Sequence, residues 1–159
     1  MEIVSSYDAG AVISRASLLT NKFTKPVTIL KPKTVAVGLG ARKNVEECAI
    51  ENAVNAALTK LNLPLERVDR LATVSIKKYS LSMMKAADKL GLKLEFVDIE
   101  VLRAFKHEDL SPDSEIVKRN IGVGGVCERA ALIMAGKKGR LIFKKTKLNG
   151  VTVAIAEGE

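Results

Sequence analysis

Two glycine-rich segments hold most of the residues in this chain that are suited to chemistry. Residues 38–43 read Gly-Leu-Gly-Ala-Arg-Lys, and residues 122–128 read Gly-Val-Gly-Gly-Val-Cys-Glu. Backbone N–H groups at the start of a helix bind anions, and glycine lets a ligand approach them closely. We therefore expect substrate contacts from both segments, at Gly38, Gly40, Arg42, Lys43, Gly122, Gly124, Gly125 and Cys127.

Neither segment matches a nucleotide-binding motif. In the first segment, Lys43 occupies the position of the third glycine of a dinucleotide fingerprint. In the second segment, Cys127 occupies that position. Neither contains the Gly-Lys-Ser/Thr of a phosphate-binding P-loop. A tight strand-to-helix turn explains the first segment as well as an anion site does, and close packing of a helix against a strand is the alternative for the second.

Glu128 is the candidate for acid–base chemistry, either as a general base or as a polar anchor. Cys127 lies near a predicted helix start, which can lower the pKa of a thiol. A nucleophilic cysteine needs a nearby base, however, and His107 is the only imidazole in the chain. We therefore interpret Cys127 as a packing residue and His107 as a solvated loop residue.

The chain is basic, with 26 Lys and Arg against 18 Asp and Glu and a formal net charge of +8. Such a surface suits nucleic acid, acidic lipid or a small molecule with many carboxylates, although a solvated surface explains it equally well. Aromatic residues make up only 4% of the chain, which disfavours stacking on bases. Lys145 and Lys147 could bind carboxylates, or could serve as a charged strand edge that prevents pairing with other sheets.

Composition also excludes several classes of protein. No apolar run reaches the roughly 18 residues of a membrane span, and the N-terminus lacks the pattern of a secretion signal. With two cysteines and one histidine, the chain is not expected to bind a structural metal. We expect a cytoplasmic protein.

Residues 34–159 alternate between strand and helix patterns, whereas residues 1–33 suggest an extended arm or the remnant of an upstream region. An Asn44–Glu47 capping box predicts the first helix start, Gly91 predicts a helix end, and Asn149-Gly150 predicts a hairpin. The predicted strands are 34–38, 68–76, 92–97, 140–145 and 151–156, and the predicted helices are 44–61, 80–90, 99–105, 126–135 and one that Ser111 opens. This order predicts an α/β fold of three α/β/α layers, with a mixed, mostly parallel sheet and a C-terminal β-hairpin.

The order of the motifs resembles a known family. The relevant residues are 35–43, 71–77, 94–97, 114–117, 122–128, 145–147 and 151–156. Together they resemble the C-terminal domain of the cobalamin biosynthesis protein CbiG, a domain that also occurs as the stand-alone protein CobE. The resemblance covers about residues 31–159.

The resemblance implies a step of anaerobic corrin-ring synthesis. CbiG-like proteins open the δ-lactone of cobalt-precorrin-5A and release acetaldehyde, which gives cobalt-precorrin-5B. In this picture Glu128 is the general base, and the N–H groups of Gly124 and Gly125 hold the oxyanion. The chain needs no cofactor of its own, because the cobalt belongs to the substrate.

The same resemblance implies a tetrapyrrole polycarboxylate as ligand and an N-terminal CbiG domain, fused or separate, as partner. The alternatives are a non-catalytic carrier or assembly module like CobE and, less favoured, a nucleic-acid-binding domain. Met83 and Met84 would fill the core or an interface, which permits a homodimer.

Overall fold

The computed structural model describes residues 10–13, 27–30, 33–77, 80–112 and 125–159. The chain divides into two units, residues 1–33 and residues 34–159. In the first unit, β1 (Gly10–Ile13) and β2 (Val27–Leu30) pair in parallel, with Gly10 opposite Val27. The interpretation of residues 1–33 as an arm or a remnant stays a prediction.

The second unit carries the helices and the larger sheet. A 3₁₀ turn at Leu65–Arg67 precedes β4, and another at Ser75–Lys77 follows it. In chain order the strands and α-helices are β3 (Thr34–Ala41), α1 (Glu47–Lys60), β4 (Arg70–Val74), α2 (Leu81–Leu90), β5 (Leu94–Val97), α3 (Ile99–Ala104), α4 (Val126–Ala135), β6 (Arg140–Leu148) and β7 (Val151–Gly158).

The second unit's sheet is mixed and has the strand order β5-β4-β3-β7-β6. β3, β4 and β5 are mutually parallel, whereas β7 is antiparallel to both of its neighbours, β3 and β6. β6 therefore runs in the direction of β3. As a result β3, β4, β5 and β6 all end at one edge of the sheet, which we call the carboxyl edge.

Helices pack on both faces of this sheet, which confirms the predicted α/β fold. On the α1–α2 face, aliphatic residues of β3 and β7 form one core with Ile50, Val54 and Met83. On the opposite face, which we call the α4 face, small side chains make the contacts. Ala131 and Ala135 of α4 pack near Ala36 and Ala156. Alanines on both sides let the helix lie close to the sheet.

The predicted start of the first helix is wrong. Asn44 lies in a left-handed turn with φ of 62°, and α1 begins at Glu47. The N-cap is Glu46, which makes no side-chain capping hydrogen bond. Glu47 instead places a negative charge in the first turn, where the helix dipole favours it.

The glycine pair at 38 and 40 lies inside β3 rather than in the predicted loop after it. β3 continues to Ala41 because β7 pairs with it along its whole length, from Thr34 opposite Gly158 to Ala41 opposite Val151. Partner-strand hydrogen bonds thus extend a strand through residues whose own propensity predicts a turn.

Two local predictions are confirmed. Gly91 follows α2 in the left-handed conformation, with φ of 65°. Asn149 and Gly150, with φ of 48° and 82°, form the two-residue turn between β6 and β7. The helix predicted from Ser111 into the glycine cluster lies largely outside the described residues.

Met83 is buried in the α1–α2 face core, and Met84 is 45% exposed. No helix in the described part of the chain is long and apolar enough to cross a membrane.

Candidate functional site

The two glycine-rich segments meet where α4 crosses β3. A Cβ added to Gly38 would overlap the carbonyl oxygen of Cys127 and lie 2.9 Å from the backbone nitrogen of Ala131. Gly38 is therefore the point at which the start of α4 lies directly on the sheet. This is the close packing of helix against strand that the sequence left open as an alternative.

Gly40 lies two residues closer to the carboxyl edge and has a different environment. Within the described ranges, a Cβ at Gly40 would meet only the Cβ of Thr152, at 3.7 Å. Gly40 is half-buried, whereas Gly38 is buried. Among the described residues, the surface above Gly40 is thus open to a ligand.

Gly40 belongs to a row of three residues that crosses the sheet. Gly40 of β3 pairs with Thr152 of β7, and Thr152 pairs with Lys147 of β6. Because paired residues project to the same face, and the adjacent Leu148 packs on the α1–α2 face, these three project from the α4 face. We call Gly40, Thr152 and Lys147 the open row.

The open row combines backbone without a side chain at Gly40, a hydroxyl group at Thr152 and an ammonium group at Lys147. Thr152 is half-buried and Lys147 is exposed. Arg42 and Lys43 follow β3 and are both exposed, and the Arg42 backbone N–H donates to the carbonyl of Gly150 over 3.2 Å. This bond ties the end of β3 to the hairpin, so Arg42 and Lys43 lie at the same carboxyl edge as Lys147.

Cys127 is poorly suited to nucleophilic chemistry. It is 3% exposed, and burial, with the charge of Glu128 as a second cause, raises the pKa of its thiol to about 12. His107 lies in the loop after α3, where its Nδ1 accepts the backbone N–H of Asp109 over 3.1 Å. These contacts support the interpretation of Cys127 as a packing residue and of His107 as a loop residue.

Glu128 is completely buried, and its carboxylate accepts three hydrogen bonds. Oε2 accepts the Ser111 N–H over 2.9 Å, and Oε1 accepts the Ser111 hydroxyl over 2.7 Å. Oε1 also accepts the Lys145 N–H over 2.9 Å. Glu128 thus joins α4, the loop at Ser111 and strand β6, which is the arrangement of a polar anchor; its role as general base stays a prediction.

Lys145 takes part in the same group of contacts, since its Nζ donates to the carbonyl of Pro112 over 2.9 Å. Gly125 directly precedes α4 in a left-handed conformation, and its carbonyl accepts the N–H of Arg129. Gly122 and Gly124 lie outside the described residues, so their predicted contacts stay predictions. Within the described ranges, no group of three or more His, Cys, Asp or Glu side chains is placed to hold a metal ion.

Comparison with known proteins gives the family. A family model described as the cobalamin synthesis G C-terminus matches residues 35–156. The chain belongs to this CbiG C-terminal family.

Relatives of this CbiG C-terminal domain carry one enzyme name. A probable cobalt-precorrin-5A hydrolase of Methanocaldococcus jannaschii is 40% identical over 135 residues, which are 80% of this chain and 42% of that protein. A cobalt-precorrin-5A hydrolase of Priestia megaterium is 26% identical over 128 residues, which are 80% of this chain and 33% of that protein. The chain thus spans less than half the length of these relatives.

Solved structures show the same fold. The cobalamin-pathway protein CobE gives a TM-score of 0.72 at 22% identity, covering 79% of this chain and 91% of CobE. The cobalamin biosynthesis protein chiG of Agrobacterium tumefaciens gives 0.64 at 32% identity, covering 79% of this chain and 99% of that one. A putative cobalamin biosynthesis protein G homologue of Sulfolobus solfataricus gives 0.65 at 25% identity, covering all of this chain and 49% of that one.

Sequence reasoning missed two residues of this CbiG C-terminal domain. Thr152 lies between Gly40 and Lys147 in the open row. Its place could have been predicted from the Asn149-Gly150 hairpin, because a two-residue turn pairs residue 148 with 151 and residue 147 with 152. Ser111 binds Glu128 across 17 residues of sequence. No local pattern indicates that second contact.

Proposed function

We propose that this domain binds a cobalt-precorrin at the carboxyl edge, with the macrocycle lying over the open row. As part of a CbiG-type protein, it would take part in opening the δ-lactone of cobalt-precorrin-5A, with release of acetaldehyde and formation of cobalt-precorrin-5B. Family membership and the name shared by its relatives support this pathway step. The open row is the structural observation that carries the assignment to this edge of the sheet.

The chemistry of the open row suits this ligand. A precorrin is a flat apolar ring with a fringe of acetate and propionate groups. Gly40 lets a flat ring approach the sheet, while Lys147 and the Thr152 hydroxyl offer partners to carboxylates. Arg42 and Lys43 add two exposed cations, and the net charge of +8 attracts the polyanion over a longer range.

Hydrolysis also needs an activated water and donors for the oxyanion. The sequence indicates Glu128 as base and Gly124 and Gly125 as donors, and we retain this as a proposal. In the described contacts the Glu128 carboxylate is occupied by Ser111 and Lys145, so a base at this position would have to leave them. The variant Glu128→Gln tests the assignment, because an amide cannot accept a proton from water and turnover would be abolished.

A corrinoid-binding module without catalysis is the second candidate. The chain covers 99% of the chiG structure but 42% of the M. jannaschii hydrolase, so domain-sized relatives exist beside longer ones.

An N-terminal CbiG domain, fused or separate, remains our proposed partner, and a homodimer stays a prediction. We also propose a cytoplasmic location and no cofactor beyond the cobalt of the substrate.

Titration with a cobalt corrinoid tests the binding proposal. Dicyanocobyrinic acid, which carries free carboxylates, should give a saturable change in visible spectrum and in heat, and its affinity should fall as salt rises. Dicyanocobinamide, whose side chains are amidated, is the matched control and should bind more weakly. Absence of binding by dicyanocobyrinic acid would overturn the proposal. Acetaldehyde release from cobalt-precorrin-5A would then separate a hydrolase from a binding module.

A further inference from the structure

The pairing between β3 and β4 ends before either strand does. Gly38 opposite Ala72 is the last rung between them, although β3 continues to Ala41 and β4 continues to Val74. β7 still pairs with β3 as far as Ala41, and β5 still pairs with β4 as far as Val74. The two strands therefore part at the carboxyl edge. We call the space between their ends, from the last rung out to Ala41 and Val74, the β3–β4 gap.

Ala41 directs its backbone N–H into this gap. The Arg42 N–H donates to the Gly150 carbonyl, on the side of β3 that faces β7. The Leu39 carbonyl accepts the Thr73 hydroxyl over 2.9 Å, on the side that faces β4. Successive residues of a strand direct their backbone groups to alternate sides, so Ala41 shares the side of Leu39. The rung that would give the Ala41 N–H an acceptor on β4 is not formed.

Val74 directs its N–H into the gap from the opposite strand. The Leu71 N–H donates to the Lys93 carbonyl over 2.9 Å, so the backbone groups of Leu71 face β5 and those of Val74, three residues on, face β3. In a regular parallel ladder the Val74 N–H would donate to the Leu39 carbonyl. The rung that contains this bond is absent, and the Thr73 hydroxyl donates to that carbonyl instead.

The β3–β4 gap therefore presents backbone donors rather than acceptors. Two N–H groups face it without a ladder partner, and the Leu39 carbonyl already has the Thr73 hydroxyl as donor. Backbone N–H groups grouped in this way attract anions. Ala41 is half-buried, as is the neighbouring Gly40 of the open row, whereas Val74 is buried. A ligand would thus reach the Ala41 N–H first.

We propose that the β3–β4 gap is an anion subsite, in which the N–H groups of Ala41 and Val74 bind one carboxylate of the substrate. The two oxygens of a carboxylate allow it to accept from both donors at once. The inference rests on the proposed function for the identity of the ligand. It adds a pair of backbone donors beside the open row, so that a ring over Gly40 and a carboxylate in the gap occupy adjacent positions.

Removal of one donor tests the inference. Ala41→Pro deletes the N–H, and the strand should tolerate the substitution because this N–H has no ladder bond to lose. Ala41→Val is the matched variant, since it adds bulk at the same position and keeps the N–H. Ala41→Pro should bind dicyanocobyrinic acid about tenfold more weakly than Ala41→Val, as expected for the loss of one charge-assisted hydrogen bond. For dicyanocobinamide the two variants should differ by less than about twofold.

Amide-proton NMR of the unsubstituted protein supplies a second measurement. The Ala41 and Val74 amide protons should move downfield, to saturation, as dicyanocobyrinic acid is added, because each gains a carboxylate acceptor. The Leu39 amide belongs to the last rung and should move less. Dicyanocobinamide carries the same ring, so the difference between the two titrations removes the effect of the ring on these resonances. If Ala41→Pro does not fold, judged by far-UV circular dichroism, this difference decides alone.

Equal affinities of Ala41→Pro and Ala41→Val for dicyanocobyrinic acid would overturn the inference. The same holds if the two corrinoids shift the Ala41 and Val74 amides equally. If the unsubstituted protein fails to bind dicyanocobyrinic acid, the proposed function falls and this inference with it. Binding that does not depend on the Ala41 N–H removes only this inference and leaves the proposed function in place.

Discussion

Gly38 of β3 and Cys127 of α4 pack so closely that no side chain fits between them. A Cβ on Gly38 would overlap the Cys127 carbonyl oxygen, and it would lie 2.7 Å from the carbonyl carbon. The obstacle is backbone, which cannot turn aside as a flexible side chain can. This contact fixes how far α4 extends over the sheet, and hence where the open row begins.

Gly38→Ala should therefore lower the free energy of unfolding by about 3 kcal/mol or more, because α4 must shift to make room for the methyl group. Gly40→Ala is the matched control, since its Cβ would make only an ordinary contact with Thr152 at 3.7 Å. It should change stability by less than about 1 kcal/mol. Urea unfolding of both variants measures the difference, and equal losses would contradict the assigned packing.

The two thiols should differ in reactivity. Cys48 is exposed, whereas Cys127 is buried with its pKa raised to about 12. Near pH 8, a thiol reagent such as dithionitrobenzoate should label one cysteine rapidly in the folded protein and both in strong denaturant. Cys48→Ser should remove the rapid phase. A rapid phase that survives in Cys48→Ser would show that Cys127 is accessible and ionised.

Ionisation of Cys127 should also make stability depend on alkaline pH. Its pKa rises from the ordinary 9.0 to about 12 in the folded protein, mainly because burial disfavours the thiolate. The unfolded chain thus loses this proton at a lower pH than the folded protein does. The free energy of unfolding that the protonated thiol contributes is complete below pH 9 and is lost as the pH rises towards 12. The free energy of unfolding should fall by no more than about 1.4 kcal/mol per pH unit from this cause.

The measurement is the difference in free energy of unfolding between the unsubstituted protein and Cys127→Ala across this pH range. Other groups that titrate there contribute to both proteins and cancel. A difference that stays constant from pH 9 to 12 would contradict the assigned burial of the thiol.

Local chemistry made part of this fold predictable. Asn149-Gly150 predicted the hairpin, because few residue pairs adopt two consecutive left-handed conformations. Gly91 predicted the end of α2 in the same way. Alternation of apolar strands and helices predicted the layered sheet, because each element buries its apolar side.

The rest depended on partners distant in sequence. Asn44 and Glu47 have the spacing of a capping box, yet the chain leaving β3 places Asn44 in a left-handed turn instead. Gly38 and Gly40 indicated a loop, but pairing with β7 extends the strand to Ala41. These tertiary contacts outweigh the smaller local preferences.

Only part of the candidate site was predictable from the sequence. The glycine segments and Lys147 were identified from residue type, and the hairpin turn implied that Lys147 faces Thr152. The contact between Glu128 and the Lys145 N–H spans 17 residues, and it arises only when α4 lies across the sheet. The anchoring contacts of Glu128 therefore required the structure.

The hairpin turn itself offers a last test, because it sets the register on which the open row depends. Gly150 has φ of 82°, a conformation that strains residues with a side chain. Gly150→Ala should lower the free energy of unfolding by about 1–2 kcal/mol. A Cβ would also lie 3.3 Å from Cγ2 of Val45, so a small adjustment there adds to the loss of stability.

Gly150→Asn should lose less free energy of unfolding, since asparagine adopts left-handed conformations more readily than alanine does. Thermal and urea unfolding of the two variants measure this order. A Gly150→Ala variant as stable as the unsubstituted protein, or a larger loss for Gly150→Asn, would contradict the backbone strain assigned to Gly150.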